Sequence, residues 1–370
     1  MRTTCLPVLV AGLVVLAGNT GASGQVTRRP EPVPRAEAAA LRSLVDAASQ
    51  GEGTRDDAWL TWDGHFMRAA DGRVYVPFTV SLDDVESGFE SIAMYVRVMP
   101  RGAKGPAGTG AISGSAAATP VSSPESQFSR GNPTGGEASS RLSLMAREFS
   151  TIKPPFEGYF VARLPAQAAP SLVRRSLLVA PGDYDLYVAV RERPGPGVQS
   201  TPKAAVLRRE LTVPDLGGTE PTMSSVILAD RIDALPRRLP ASQQAEHPYA
   251  FGVTEVFPDA DARFDQDAVL SVVFFVYNLA VDRGNLPDVT VRYRFHQMST
   301  FGQLFGELLP QRLARDHTPP AFDAKAGRQL AVTQALPLAS FPPDTYELEI
   351  SVTDNLSSHT MQRVVRFTVG

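Results

Sequence analysis

The chain has 370 residues, a formal net charge of −3 from 36 basic and 39 acidic side chains, 43% hydrophobic residues and a single cysteine. A balanced charge with no block of one sign excludes the electrostatic footprint of a nucleic-acid or membrane-surface binder. One cysteine excludes a disulfide framework and a cluster of thiolate ligands. The length suits two domains, each long enough to bury its own core.

Residues 1–24 read as an export signal. Arg2 gives a positive start, and Leu6–Ala17 is an apolar run too short for a membrane span. Ala22-Ser23-Gly24 is a small-x-small cleavage site before Gln25. Asn19 stands where a lipoprotein signal would carry cysteine, so no lipid anchor is expected, and no transmembrane span remains after cleavage. Cys5 would leave with the signal. An exported chain without disulfides points to a secreted or periplasmic protein at a bacterial envelope.

Residues 25–57 hold a Pro-rich stretch, Glu31–Arg35, and a helix over Ala36–Ala48. Ala40, Leu41, Leu44, Val45 and Ala48 make its apolar stripe, and Gly51 and Gly53 end it. Its expected role is packing at the domain entrance.

Residues 58–222 read as a first β-sandwich. Trp59-Leu60-Thr61-Trp62 opens it, with one tryptophan in the core. Asp71–Leu82 and Ile92–Met99 follow as strands. Residues 100–140 are Gly, Ala, Ser, Thr and Pro with almost no large apolar side chain. They read as a disordered insertion, because they cannot bury enough surface to offset the entropy of ordering. Strand signals return at Tyr159–Leu164 and Leu177–Ala180. They lead into Pro181-Gly182-Asp183-Tyr184, a turn that opens the alternating strand through Glu192. Side chains alternate across a strand, so Leu186, Val188 and Val190 should face the core and Asp185, Tyr187, Ala189 and Arg191 an open face. Pro194–Gly197 turns the chain into Ala205–Val213, and Val213–Gly218 closes the unit.

Residues 223–370 read as a second β-sandwich. Met223–Ile232 opens it or bridges the two units, Leu235–Pro248 is a loop, and Phe251–Phe257, Asp267–Leu279 and Val289–Phe295 are strands. Pro343–Asp354 then repeats the turn, Tyr and alternation of Pro181–Glu192. Asn355–Ser358 turns into Arg363–Val369. Tyr184 and Tyr346 each stand where an immunoglobulin-like domain places its tyrosine corner. The expected fold class is mainly β: two antiparallel immunoglobulin-like sandwiches, a short N-terminal helix and a disordered insertion.

The chemistry-bearing residues are sparse. His65, His247, His296, His317 and His359 form no H-x-H or H-x-x-x-H pair, and neither a nucleophile elbow nor a phosphate-binding loop occurs. Asp259, Asp261, Asp265 and Asp267 alternate as calcium ligands do, but Arg263 takes a ligand place and no bidentate Glu follows. The expectation is therefore no catalytic residue, no cofactor, no metal ligand and no enzymatic activity.

The segments Tyr75–Val80, Gly182–Glu192, Leu211–Leu216, Ser224–Ile232, Val273–Leu279 and Tyr346–Asp354 together resemble a family of secreted bacterial proteins. Members carry tandem immunoglobulin-like or fibronectin-like sandwiches and accompany von Willebrand factor A-related proteins. The resemblance implies fold and compartment, with no catalytic residues to carry over. The expected function is binding of protein partners at the cell envelope or exterior through sandwich loops or edges. The alternative is a carbohydrate-binding or accessory module of a secreted hydrolase system. That reading needs an aromatic platform, and Trp59 and Trp62, three apart on a strand, point to opposite faces.

Overall fold

The computed structural model describes residues 33–51, 59–83, 89–102, 153–164, 171–194, 201–314, 322 and 328–370. Residues 1–24, read above as an export signal, the insertion beyond Gly102, the turn after Pro194 and His317 lie outside the described residues.

Helix α1 spans Arg35–Ser49. The first run of strands is β1 (Leu60–Gly64), β2 (Met67–Arg68), β3 (Val74–Leu82), β4 (Phe89–Pro100), β5 (Phe156–Arg163), β6 (Ser171–Val179), β7 (Gly182–Pro194) and β8 (Ala204–Val213). They make two antiparallel sheets. In sheet I, β3 is central between β1 with β2 on one side and β6 on the other; sheet II runs β5-β4-β7-β8.

The second run comprises β9 (Thr222–Met223), β10 (Ile227–Ala234), β11 (Ala250–Phe251), β12 (Thr254–Pro258), β13 (Arg263–Phe264), β14 (Val269–Tyr277), β15 (Val289–Gln297), β16 (Gln303–Glu307), β17 (Gln311–Leu313), β18 (Leu330–Pro337), β19 (Asp344–Asp354) and β20 (His359–Val369). A four-residue helix, α2 (Ala241–Gln244), precedes β11. Sheet III runs β11-β12-β10-β14-β18 with β9 on β14, and sheet IV runs β13-β20-β19-β15-β16 with β17 also on β15. All these pairings are antiparallel except β13 with β20. The protein is thus mainly β, of the β-sandwich class.

The two halves use the same path. A first strand, β1 or β10, lies beside a long strand, β3 or β14, which also pairs with a later strand, β6 or β18. The opposite sheet orders its strands β5-β4-β7-β8 in one half and β16-β15-β19-β20 in the other. Both corners form as the sequence predicts: the Tyr184 hydroxyl donates to the Ala180 carbonyl at 3.0 Å, and that of Tyr346 to the Pro342 carbonyl at 2.7 Å. The low-complexity segment falls between β4 and β5, the connection that corresponds to the β15–β16 hairpin of the second half.

Leu186, Val188 and Val190 are buried between sheets I and II, and Leu348, Ile350 and Val352 between sheets III and IV. The opposite face of β7 corrects the sequence reading. Asp185, Tyr187 and Ala189 are buried too, Asp185 to 9% exposure, and over Tyr187 and Ala189, with Ala93, Tyr95 and Val206 of sheet II, lies the apolar stripe of α1 (Leu41, Val45, Ala48). Asp185 retains a charged partner there, Arg208 at 2.9 Å.

The strand that opens the second half serves both cores. Val226 and Leu228 join the core between sheets III and IV; Ile227 and Ala229 join the first core. On β14, Val272, Phe274 and Val276 face sheet IV, while Val273, Phe275 and Tyr277 pack with the first half. Sheet III is therefore covered on both faces, and the layers run α1, sheet II, sheet I, sheet III, sheet IV. Trp59 and Trp62 are half-buried against the first core, Trp62 tilted on Phe78 at 6.1 Å. Among the described residues no helix is long and apolar enough to cross a membrane.

Candidate interaction edge

The β15–β16 hairpin breaks the rule that turns are small and polar. Its tip is a short 3-10 turn, Met298–Thr300, followed by Phe301 at φ 57° and Gly302 at φ 74°. Glycine takes the left-handed region freely, whereas a bulky L-residue there is an outlier and strained. Phe301 is also fully exposed, at 100%. Hydration of an apolar ring and backbone strain both oppose this arrangement, so neither local propensity nor burial accounts for it.

The tip is held rigidly. The Phe301 amide donates to the Met298 carbonyl at 3.1 Å and the Gly302 amide to that of Gln297 at 3.1 Å. The Thr300 hydroxyl donates to the Gln297 carbonyl at 2.9 Å, and His296 Nδ1 lies 3.1 Å from the Gly302 carbonyl. The Ser299 hydroxyl donates to the Asp344 carboxylate at the start of β19. That hydrogen bond holds the Asp344 carboxyl below its ordinary range. The next turn of chain, at Tyr346, is the tyrosine corner. Beneath the hairpin, Phe305 packs on Phe341 at 5.0 Å and Tyr346 at 5.3 Å, and Phe341, Tyr346, Phe295 and Phe367 form one aromatic cluster. The aromatic wealth of the second half thus forms the floor beneath this tip.

Two further apolar side chains of this edge are exposed. Leu304 is 48% exposed opposite His296, and Leu309, between β16 and β17, is 65% exposed. Among the described residues β16 and β17 pair only with β15, so they form a sheet edge. The ladder is interrupted by a register shift between Phe295 and His296 and by Leu308–Pro310. Such interruptions guard an edge against indiscriminate strand pairing. The same sheet carries charged pairs: Arg294 with Glu307 at 3.6 Å and Glu349 at 3.7 Å, and Arg366 with Glu347 at 3.0 Å.

Sequence reading did not anticipate β16, β17 or β18, and it passed over Phe301. Gln303–Glu307 lacks alternation and Gln311–Leu313 has three residues, too short for a periodic signal. The available cue was Ser299-Thr300-Phe301-Gly302, a turn sequence with an aromatic where a small residue belongs.

The Asp259 segment is built differently from a cation loop. Asp259 Oδ1 accepts the amides of Asp261 at 3.1 Å and Arg263 at 3.2 Å, and Ala262 takes φ 53° between them. Burial, then the hydrogen bond with Asp261 and the charge of Asp230 on β10, push the Asp259 carboxyl up to about 7. Among the described residues no three His, Cys, Asp or Glu side chains converge as a metal ion would require. Of the other histidines, His247 pairs with Glu255 at 2.7 Å, His359 lies 3.9 Å from Glu220, and His65 is buried.

No family model and no curated protein matches the chain. Among solved structures, it is similar to Bacteroides uniformis β-glucuronidase (10% identity, TM-score 0.25, 80% of this chain and 26% of that one). It is also similar to red sea bream transglutaminase (8% identity, TM-score 0.20, 88% and 33%). A third similarity is to trypsin-activated α-2-macroglobulin of Escherichia coli (10% identity, TM-score 0.19, 84% and 16%). The chain spans a third or less of each of these proteins. Likenesses at these scores carry no argument about function.

Proposed function

We propose that the protein is an exported, non-enzymatic interaction protein that binds a protein partner through the β15–β16 edge, with Phe301 as its anchor. The observation that carries this reading is a strained, rigidly held and fully exposed aromatic ring. A residue kept in an unfavourable conformation without any packing return is best understood through a contact outside the chain. Large aromatic side chains dominate binding energy where a rim of charged groups excludes water around them. Phe301 is such a side chain, at the tip of a hairpin that also carries the exposed Leu304 and the Arg294–Glu307 pair. The partner's complementary feature is an apolar socket. Export is supported by Arg2, the Leu6–Ala17 run and Ala22-Ser23-Gly24, and the tandem-sandwich family that the strand motifs resemble is consistent with it.

The test compares Phe301→Gly with the unaltered protein. Glycine relieves the left-handed strain, so the variant should be more stable by about 1 kcal/mol. Its affinity for a partner purified from the exported fraction of the producing cell should fall at least about 30-fold, the effect of losing a hot-spot residue. A variant that is less stable, or that holds the partner as tightly, overturns the assignment. Binding of the unaltered protein to protein-free lipid vesicles, lost in the variant, would also overturn it by making Phe301 a membrane anchor.

A further inference from the structure

The seam between the halves is built around one buried histidine. Within a strand, the N and O of one residue point to the same neighbour, and the Pro77 carbonyl points at His65, whose amide donates to it at 3.0 Å. Pro77 has no N–H to return, so the ladder fails there. β1 ends at Gly64, opposite Phe78, and β2 begins at Met67, opposite Tyr75. His65 sits in the gap and turns its ring into the seam.

There it meets Tyr249, which follows α2. His65 Nδ1 lies 2.9 Å from the Tyr249 hydroxyl, with the rings edge-on at 5.6 Å. The same hydroxyl donates to the Pro77 carbonyl at 3.2 Å. Around this knot the halves exchange further bonds. The Tyr75 hydroxyl donates to the Pro248 carbonyl at 2.8 Å, the Phe66 amide to Ser225 Oγ at 2.8 Å, and the Ser225 amide to the Phe66 carbonyl at 3.0 Å. His65 is only 8% exposed.

We propose that His65 is an acid-sensitive latch: its protonation loosens the seam between sheet I and the 248–251 segment of the second half. With Tyr249 donating to Pro77, the neutral ring donates Nδ1–H to Tyr249. A second proton puts a positive charge on a ring that is only 8% exposed. A buried cation without full compensation is costly. The charged and titratable groups facing this knot are few. Asp63 on β1 has a carboxylate oxygen 3.8 Å from Nδ1 and favours the charged ring. From β3, Tyr75 faces the Tyr249 hydroxyl, and from β6 the Arg174 guanidinium faces it too. Glu255 on β12 faces Arg174 and is engaged by His247 at 2.7 Å. Burial outweighs Asp63, and the His65 ring titrates below the ordinary histidine value of 6.5. Opening the seam restores that ordinary value. The seam is therefore at full strength above pH 6.5 and weakens as pH falls below it, until the closed form is protonated as well.

The experiment measures amide exchange of Phe66 and Ser225 in the full chain, corrected for intrinsic rates, at pH 7.5 and 5.5, with Ile350 in the second core as reference. Protection at the seam should fall relative to Ile350, by up to about tenfold in all, since pH 5.5 lies one unit below the ordinary histidine value of 6.5. In His65→Gln, which keeps a neutral polar group, the pH-dependent loss should vanish, and in His247→Gln it should persist. Parallel losses in the unaltered protein and His65→Gln overturn the proposal. So does a direct NMR titration of the unaltered protein that places the His65 imidazole at or above the ordinary histidine value, a measurement that stands even where the variant does not fold.

Discussion

A few single positions carry consequences that can be read from geometry. A Cβ placed on Gly64 would run into Cη2 and Cζ2 of Trp62, since the indole lies across the glycine on its way to Phe78. Gly64→Ala must lift the ring, and overpacking of this kind should cost about 1–3 kcal/mol in denaturant melts. Tyr346→Phe strands the Pro342 carbonyl and should cost about 1 kcal/mol. Asp259 has the opposite pH dependence to His65. Its carboxyl keeps a proton in the fold, up to about 7, where the unfolded chain has already lost it near 3.8. Its cost is absent below the unfolded value and grows as pH rises towards about 7. Asp259→Asn keeps an oxygen for the Asp261 and Arg263 amides. It should therefore raise the melting temperature at pH 8 and leave it nearly unchanged at pH 3.5; equal shifts at both would refute the argument.

At the scale of elements, α1 decides what one sheet face becomes. The helix has no side-chain N-cap, so its stability rests on its docking surface. That surface is apolar through Leu41 and Val45, and it is oriented by polar ties at the rim. Arg97 reaches Asp46 at 2.5 Å, Arg42 reaches Glu157 at 2.9 Å, and the Tyr95 hydroxyl donates to Glu157 at 2.8 Å. Tyr95 stacks on Tyr159 at 4.4 Å beneath them. Exposed pairs of this kind contribute little singly, whereas a fully buried leucine contributes much. Leu41→Ala should cost about 2–5 kcal/mol, and Arg42→Ala less than about 1 kcal/mol. Comparable costs for the two would mean that the rim, and not the stripe, holds the helix.

Across the whole molecule, the seam sets cooperativity. Each half encloses its own core, yet one apolar cluster continues from sheets I and II into Ile227, Ala229, Val273, Phe275 and Tyr277 of the second half. A large apolar contact between units couples their unfolding, where a small polar one would not. At pH 7.5 the protein should therefore melt in a single calorimetric transition. Leu186→Ala and Leu348→Ala, in opposite halves, should both lower it, each by about 2–5 kcal/mol. Two endotherms, each moved by one variant alone, would show that the halves unfold independently.

Periodicity determined much of this fold without help. The alternation of Leu186, Val188, Val190 and of Leu348, Ile350, Val352 assigns two cores, because a strand can bury one face only in register with its pleat. The turn-plus-tyrosine pattern placed both corners for the same local reason. What covers the other face of a strand is not a local property. Tyr187 and Ala189 look like part of an open face, and the docking of α1, more than a hundred residues earlier, covers them. The double use of β14 likewise depends on sheet I arriving against it. The exposure of Phe301 rests on a rigid hairpin seated on aromatic side chains from four separate strands and loops, a convergence that no spacing in the sequence encodes. His65 belongs to the same class. Its neighbour on the next strand is a proline and its partner lies 184 residues away, so its role follows from chain segments that meet only in three dimensions.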